Sequence, residues 1–201
     1  MDDQPPAPPG GLRERKKART KAAIRDRALS LFRTQGYATT TVEQIASAAE
    51  VSPSTFFRYF RTKEDVAFDD GHDREFLAAL LAQPASLAPL PALRAALRSS
   101  LSRRTPPEAA AERRWLELVL VEPALRAAFV AQLAQAGRLL EEAFAQRSGR
   151  DPRELGIRTL AGAAVGVAMS LAWHLEELPG NDLAAALDEA LGVLEAGLTL
   201  P

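Results

Sequence analysis

Two helix starts stand only eleven residues apart in this chain, at Thr41 and at Ser52. Thr41 is followed three residues later by Gln44, the spacing of a capping box, in which each side chain satisfies the other's free backbone N–H. Ser52 is a good N-cap, and Pro53 occupies the first helical turn, where its missing N–H costs nothing. Between them, Val42, Ile45, Ala46 and Ala49 form a short apolar stripe at helical spacing, which leaves only Glu50 and Val51 for the turn. Helices this short and this tightly joined need a third to cover their apolar faces, and the three together are the ingredients of a helix-turn-helix. The third is expected from about Lys16 to Thr34, with Ile24, Ala28, Leu31 and Phe32 on one face and Gly36 as its stop.

The rest of the chain reads as helix too. Ala, Leu, Arg and Glu dominate, and no stretch alternates with period two. A fourth helix is expected from Thr62, capped by Asp65, to about Leu81. Prolines at 84, 89, 91, 106 and 107 then punctuate the pattern. Later helices are expected over Ala92–Arg103, Glu108–Val121, Pro123–Ser148, Pro152–Glu177 and Asp182–Leu198. The fold class is all-α: a three-helix head on a larger helical bundle. Its expected divisions are a disordered, acidic then Pro-rich tail (1–12), the head (13–62) and the body (63–201).

The net charge of −1 conceals a polarity. Residues 1–63 hold 12 Lys+Arg against 6 Asp+Glu, whereas residues 64–201 hold 13 against 20. All four lysines (Lys16, Lys17, Lys21 and Lys63) fall in the first part. A small basic module on an acidic body suits a polyanionic partner. Cysteine is absent, which rules out disulfides and thiolate metal sites and fits a reducing cytoplasm. No apolar run reaches the roughly 18 residues of a membrane span, and the N-terminus lacks the apolar core of a signal peptide.

In a helix-turn-helix the second helix of the pair enters the major groove by its N-terminal end. Here that end offers Ser52, Ser54 and Thr55, then Phe57, Arg58 and Tyr59, while Phe56 and Phe60 point back into the head. Hydroxyls at a helix start reach base edges or phosphates. The Thr55 methyl and Phe57 ring suit thymine methyls, and Arg58 suits guanine or a phosphate. Tyr59 and Lys63 are expected on the DNA backbone, as is Thr41 on the opposite groove wall. The basic run Arg13–Lys21 is expected to precede helix 1 and lie along the duplex or in the minor groove.

The stretch from Ala22 to Val66, AAIRDRALSLFRTQGYATTTVEQIASAAEVSPSTFFRYFRTKEDV, resembles the DNA-binding head of the TetR family. The shared marks are an ALxLFxxxGY helix end, TTTVEQIAxxA, the recognition helix VSPSTFFRYF, and TKEDV opening the next helix. The resemblance implies a homodimer whose C-terminal domain binds a small-molecule inducer, and a repressor that leaves its operator when the inducer binds. It also implies DNA contacts through residues matching Thr41, Ser52, Ser54, Thr55, Phe57, Tyr59 and Lys63. Glu50 departs from the pattern, standing where the family often has Gly.

In the body, the two last helices (about 152–177 and 182–198) are expected to form the dimer interface. The first carries small residues that allow close approach, and the second carries a leucine stripe. Pocket candidates are Phe68, Phe76, Trp115, Phe129, Met169 and Trp173, with Glu117 and His174 as polar handles. Asp69, His72 and Asp73 share a helix face, which reads as solvated acidic surface rather than a metal site. No cofactor, catalytic pair or phosphate-cradling loop is recognisable, so an enzyme is not expected. Alternatives are a ligand-independent or activating DNA-binding regulator, a head used for protein contact, and an all-helical enzyme.

Overall fold

The computed structural model describes residues 12–68, 72–178 and 182–197, and its regular elements there are all helical. They are α1 (Leu12–Gln35), α2 (Val42–Ala48), α3 (Pro53–Tyr59), α4 (Asp65–Phe68), α5 (His72–Leu81), α6 (Pro89–Leu101), α7 (Pro106–Val121), α8 (Pro123–Ser148), α9 (Leu155–Trp173) and α10 (Leu183–Glu195). A single 3-10 turn, Leu175–Glu177, follows α9. The chain divides into two compact units after Asp70, where the sequence placed the division at 62/63.

The first unit is built by α1 packing on α2 and α4, and α2 on α3. Its centre is Ile24, Ala28 and Phe32 from α1, Ile45 and Ala46 from α2, Phe56 and Phe60, and Val66 and Ala67. Burial of Val66 and Ala67 explains why the head runs past 62: α4 closes its core. Leu31, expected on the buried face, is only partly covered. Gly36 ends α1 at φ 90, the left-handed conformation that glycine adopts without strain. Helix α1 starts earlier than Lys16. The run Arg13–Lys21 is therefore its first turns and not a lead-in. The expected tail, apart from Leu12, lies outside the described residues.

At α4, Thr62 and Asp65 exchange hydrogen bonds as a cap: Asp65 N donates to Thr62 Oγ1 (3.2 Å), and Thr62 N to Asp65 Oδ2 (3.2 Å). The single helix expected over 62–81 is described as two, α4 and α5, with residues 69–71 between them outside the described set.

In the second unit α8 packs on α5, α7 and α9, α6 packs on α5 and α10, and α10 packs on α9. Leu80, Leu93, Ala96, Phe144, Ile157, Ala161 and Leu191 lie at its core. Helix α8 runs from Pro123 to Ser148, as the sequence indicated, and stops at Gly149 in the left-handed conformation. Helix α6 begins at Pro89, three residues before expectation, because proline suits a first turn as well as it breaks an interior one. Helix α9 is shorter than the expected 152–177. At its start Asp151 and Glu154 hold a loop: Arg153 N donates to Asp151 Oδ1 (2.8 Å) and Asp151 N to Glu154 Oε1 (3.1 Å). Asp182 caps α10, accepting from Ala184 N and Ala185 N. Leu198, expected at the end of this helix, lies outside the described residues.

Two arginines tie the second unit together. Arg147, in the last turn of α8, donates through Nη1 to the carbonyls of Leu80 (3.1 Å) and Gln83 (2.9 Å). Its Nη2 donates to those of Pro84 (2.8 Å) and Leu87 (3.2 Å). Arg94 of α6 reaches Asp188 (3.2 Å) and Glu195 (2.5 Å) of α10, and Arg98 joins Asp188 at 2.9 Å.

Candidate nucleic-acid interface

The local chemistry of α2 and α3 is as the sequence indicated. Thr41 caps α2 by accepting from Gln44 N (3.2 Å), while Gln44 Oε1 accepts from Thr41 N (2.9 Å). Gln35 Nε2 also donates to Gln44 Oε1 (2.9 Å) and to Thr40 Oγ1 (3.2 Å), so the end of α1 is bonded to the start of α2. The buried Thr40 hydroxyl in turn donates to the Gly36 carbonyl (2.7 Å). Thr41 itself remains exposed.

The turn between α2 and α3 is a Schellman motif. Val51 N donates to the Ala46 carbonyl (2.9 Å) and Glu50 N to that of Ser47 (3.0 Å). The motif requires a left-handed residue after the cap, and Glu50 takes that role at φ 55. It is the one non-glycine residue with positive φ among those described. A non-glycine side chain thus occupies a glycine conformation.

Ser52 caps α3 by accepting from Thr55 N (3.1 Å) and shares hydrogen bonds with Ser54 (2.9 Å) and Thr55 (3.0 Å), which gathers three hydroxyls at one tip. Ser52 and Ser54 are exposed and Thr55 is partly so. Behind the tip, Phe56 is fully buried and packs on Phe60, with ring centroids 5.6 Å apart. Phe57 points the other way and is 54% exposed, which excludes a core role for this aromatic. Arg58 is exposed, with its guanidinium 5.3 Å from the Tyr59 ring centre. The helix therefore has a wedged aromatic back and a free face that carries hydroxyl, aromatic and cationic groups.

Lys63 is more committed than its sequence position suggests. Its Nζ donates to the carbonyls of Tyr37 (2.7 Å) and Thr40 (2.9 Å). Tyr37 was not singled out from sequence, yet its hydroxyl donates to Glu64. The carboxyl of Glu64 is subject to opposing influences. Burial would raise it, but hydrogen bonds from Tyr37, its own amide and Thr62, with the charge of Lys63, together hold it below its ordinary value. Five cations on α1, Arg13, Arg15, Lys16, Lys17 and Arg19, are exposed.

The expected pocket residues do not converge on one cavity. Trp115, Phe129 and Trp173 form an aromatic row, with centroids 6.3 and 5.9 Å apart. Trp173 and Met169 are 41% and 36% exposed. Glu117 pairs with Arg113 at the surface (3.0 Å). His174 is exposed, its Nδ1 donating to the Ser170 carbonyl (2.8 Å), and Phe68 belongs to the first unit. Phe76 alone of the set lines a cavity of about 110 Å³ in the second unit. Of the acidic face at 69–73, Asp69 and the side chains of His72 and Asp73 lie outside the described residues. Among those described, no three potential ligands cluster for a metal.

Comparison with known proteins places this geometry. Residues 24–69 match the family model of bacterial regulatory proteins of the tetR family, and residues 87–199 match the MftR C-terminal domain. The chain is 37% identical over 202 residues to the HTH-type transcriptional regulator TcmR of Streptomyces glaucescens, covering 94% of this chain and 88% of that protein. It is 29% identical to the MftR regulator of Mycobacterium tuberculosis, covering 92% and 93%. Among solved structures, Thermus thermophilus FadR, a TetR-family repressor in complex with lauroyl-CoA, aligns with a TM-score of 0.54. The identity there is 29%, over 90% of this chain and 96% of that one.

Proposed function

The chain belongs to the TetR family of DNA-binding transcriptional regulators, and from that premise we propose that it acts as a homodimeric repressor which releases its operator when a small molecule binds the C-terminal unit. One observation carries the reading: at the hydroxyl tip Ser52 and Ser54 are exposed and Thr55 partly so, while Phe56 beneath it is fully buried. That is the arrangement a recognition helix needs to enter a major groove without unpacking the head. In this reading Thr55 and the exposed Phe57 meet thymine methyls, and Arg58 meets guanine or a phosphate. Thr41, Tyr59 and the third ammonium proton of Lys63 hold phosphates. The exposed cations of α1 add a sequence-independent attraction.

A second copy is supported by the face of α9. Leu155, Thr159, Gly162, Gly166 and Trp173 fall on one side of that helix; Leu155 is 80% and Trp173 41% exposed. Added Cβ atoms at Gly162 and Gly166 would meet nothing within 4 Å. By length and composition α9 is apolar enough to cross a membrane, yet only 22% of its most apolar window is buried within the protomer. Burial of this face against a second α9 removes the exposed apolar surface.

Ligand and operator then oppose each other through one coupling free energy, each weakening the other by the same factor. Footprinting on the DNA that flanks the coding region tests the reading. A protected palindrome with half-sites about one helical turn apart is the expected result. A folded dimer that protects no site would overturn it.

A further inference from the structure

We propose that the cavity lined by α5, α6, α8, α9 and α10 is a binding site for an uncharged hydrocarbon group about the size of one aromatic ring. The proposal rests on the ligand-released reading given above and names the chemistry of its ligand. Leu93, Ala164 and Leu191 are buried and form the floor, while Phe76, Leu133 and Ala168 are only partly buried and form the rim. The cavity is thus closed below and open at one side, the shape of a pocket rather than of a packing flaw.

Its existence follows from the sequence. Ala136 of α8 and Ala164 and Ala168 of α9 all line it, and none has an atom beyond Cβ to fill the space between those helices. Interiors ordinarily leave few voids larger than a water molecule, and an unfilled one destabilises in proportion to its volume. An occupant offsets that loss.

The lining decides the class of occupant. The side chains are those of Phe, Leu, Val and Ala, with no nitrogen or oxygen among them. A carboxylate, ammonium or amide placed here would lose its water and gain no partner. Hydrocarbon loses nothing. The size is close to that of a dry apolar cavity of roughly 150 Å³, which accepts benzene; at about 110 Å³ this one takes a single ring or a few methylenes before its walls must part. Any polar portion of the ligand stays at the rim in water. A partner helix needs a groove several turns long, so a small molecule fits this volume better than a protein does.

Toluene and benzoate, which share a ring and differ in charge, test the proposal on the full chain by thermal unfolding and by titration calorimetry. Toluene is expected to raise the unfolding temperature and to bind at least ten-fold more tightly than benzoate. Ala168→Leu, on the partly buried rim, should fold and lose the toluene response; Leu133→Phe provides a second blocked variant should the first fail to fold. No toluene response in the wild type, equal binding of benzoate, or undiminished toluene binding in the blocked variants would each overturn it. Operator binding measured on the same samples separates the two readings. Absent operator binding with an intact toluene response counts against the regulator alone, and the reverse pattern counts against the cavity alone.

Discussion

The Lys63 ammonium lies 3.9 Å from the centre of the Tyr37 ring and also donates to the Tyr37 carbonyl at 2.7 Å. One side chain therefore grips one residue by both its ring face and its backbone, and through Thr40 it holds the corner between α1 and α2. A residue expected on phosphate thus also works as an internal tie. Lys63→Ala should lower stability by about 1.5–3 kcal/mol, the range for hydrogen bonds to a charged group, as well as weaken operator binding. Tyr59→Phe should weaken operator binding with little effect on stability and lower the salt slope slightly if its contact is to phosphate. Urea unfolding beside operator titration at several salt concentrations distinguishes the two. Equal destabilisation by both would refute this division of roles.

Acid should loosen the molecule at two independent places. The Glu64 carboxyl is held below its ordinary value as described. At Asp188 burial raises the carboxyl, but hydrogen bonds from Arg94 and Arg98 and their charges outweigh it and lower it. A carboxyl lowered by folding contributes stability that is complete above its unfolded value and is lost as pH falls through the folded value. Stability should therefore be flat near neutrality and decline below about pH 5. Tyr37→Phe should flatten the decline in the first unit only, as read by unfolding midpoints across pH 3 to 7.

Glu50→Gly should stabilise the head. A left-handed conformation costs an L-residue about 1–2 kcal/mol, and glycine returns part of the gain through its freer unfolded chain. A net gain of about 0.5–1 kcal/mol is expected, with tighter operator binding because a negative charge leaves the turn. A loss of stability would mean that the Glu50 side chain makes a contact worth more than the strain.

On α9, a Cβ added at Gly162 or Gly166 meets nothing within 4 Å, so Gly162→Glu and Gly166→Glu should each fold. Helix content should hold or rise. Dimerisation should weaken by at least about 100-fold, since an unpaired charge buried at an interface costs several kcal/mol. Sedimentation velocity checks this, and a dimer that persists in both variants would place the interface elsewhere.

Gly192 lies beneath the Arg94 guanidinium, where an added Cβ would come within 2.9 Å of Nη2. Alanine ordinarily gains about 1 kcal/mol over glycine inside a helix. In the wild type Gly192→Ala should forfeit that gain by dislodging Arg94 from Asp188 and Glu195. In an Arg94→Met background it should recover it, and a double-mutant cycle by thermal unfolding measures the difference.

Where one side chain caps a backbone a few residues away, the sequence was readable. Thr41 with Gln44, Ser52 with Pro53, and Thr62 with Asp65 each announce their element by local chemistry alone. Glu50 could be flagged because its departure sits at a turn of known requirement. Arg147 and Lys63 could not be read in this way, because their acceptors are main-chain carbonyls, which every residue possesses and no pattern marks. The expected pocket residues scatter for a related reason. Aromatic residues stand out in a sequence, whereas the cavity beside Phe76 is lined mainly by leucines and alanines that ordinary core packing also uses. Helix α9 was overextended because hydrophobic spacing continues past Trp173 after the backbone has already turned at His174.

The grip of Arg147 on Leu80, Gln83, Pro84 and Leu87 has a corollary for how this corner can evolve. A fork that recognises only main-chain oxygens is indifferent to which amino acids carry them, so residues 82–86 are free to vary in kind. It is not indifferent to their number. A single insertion or deletion there would slide the oxygens out of the fork's fixed span, so the segment should drift in composition while its length stays locked.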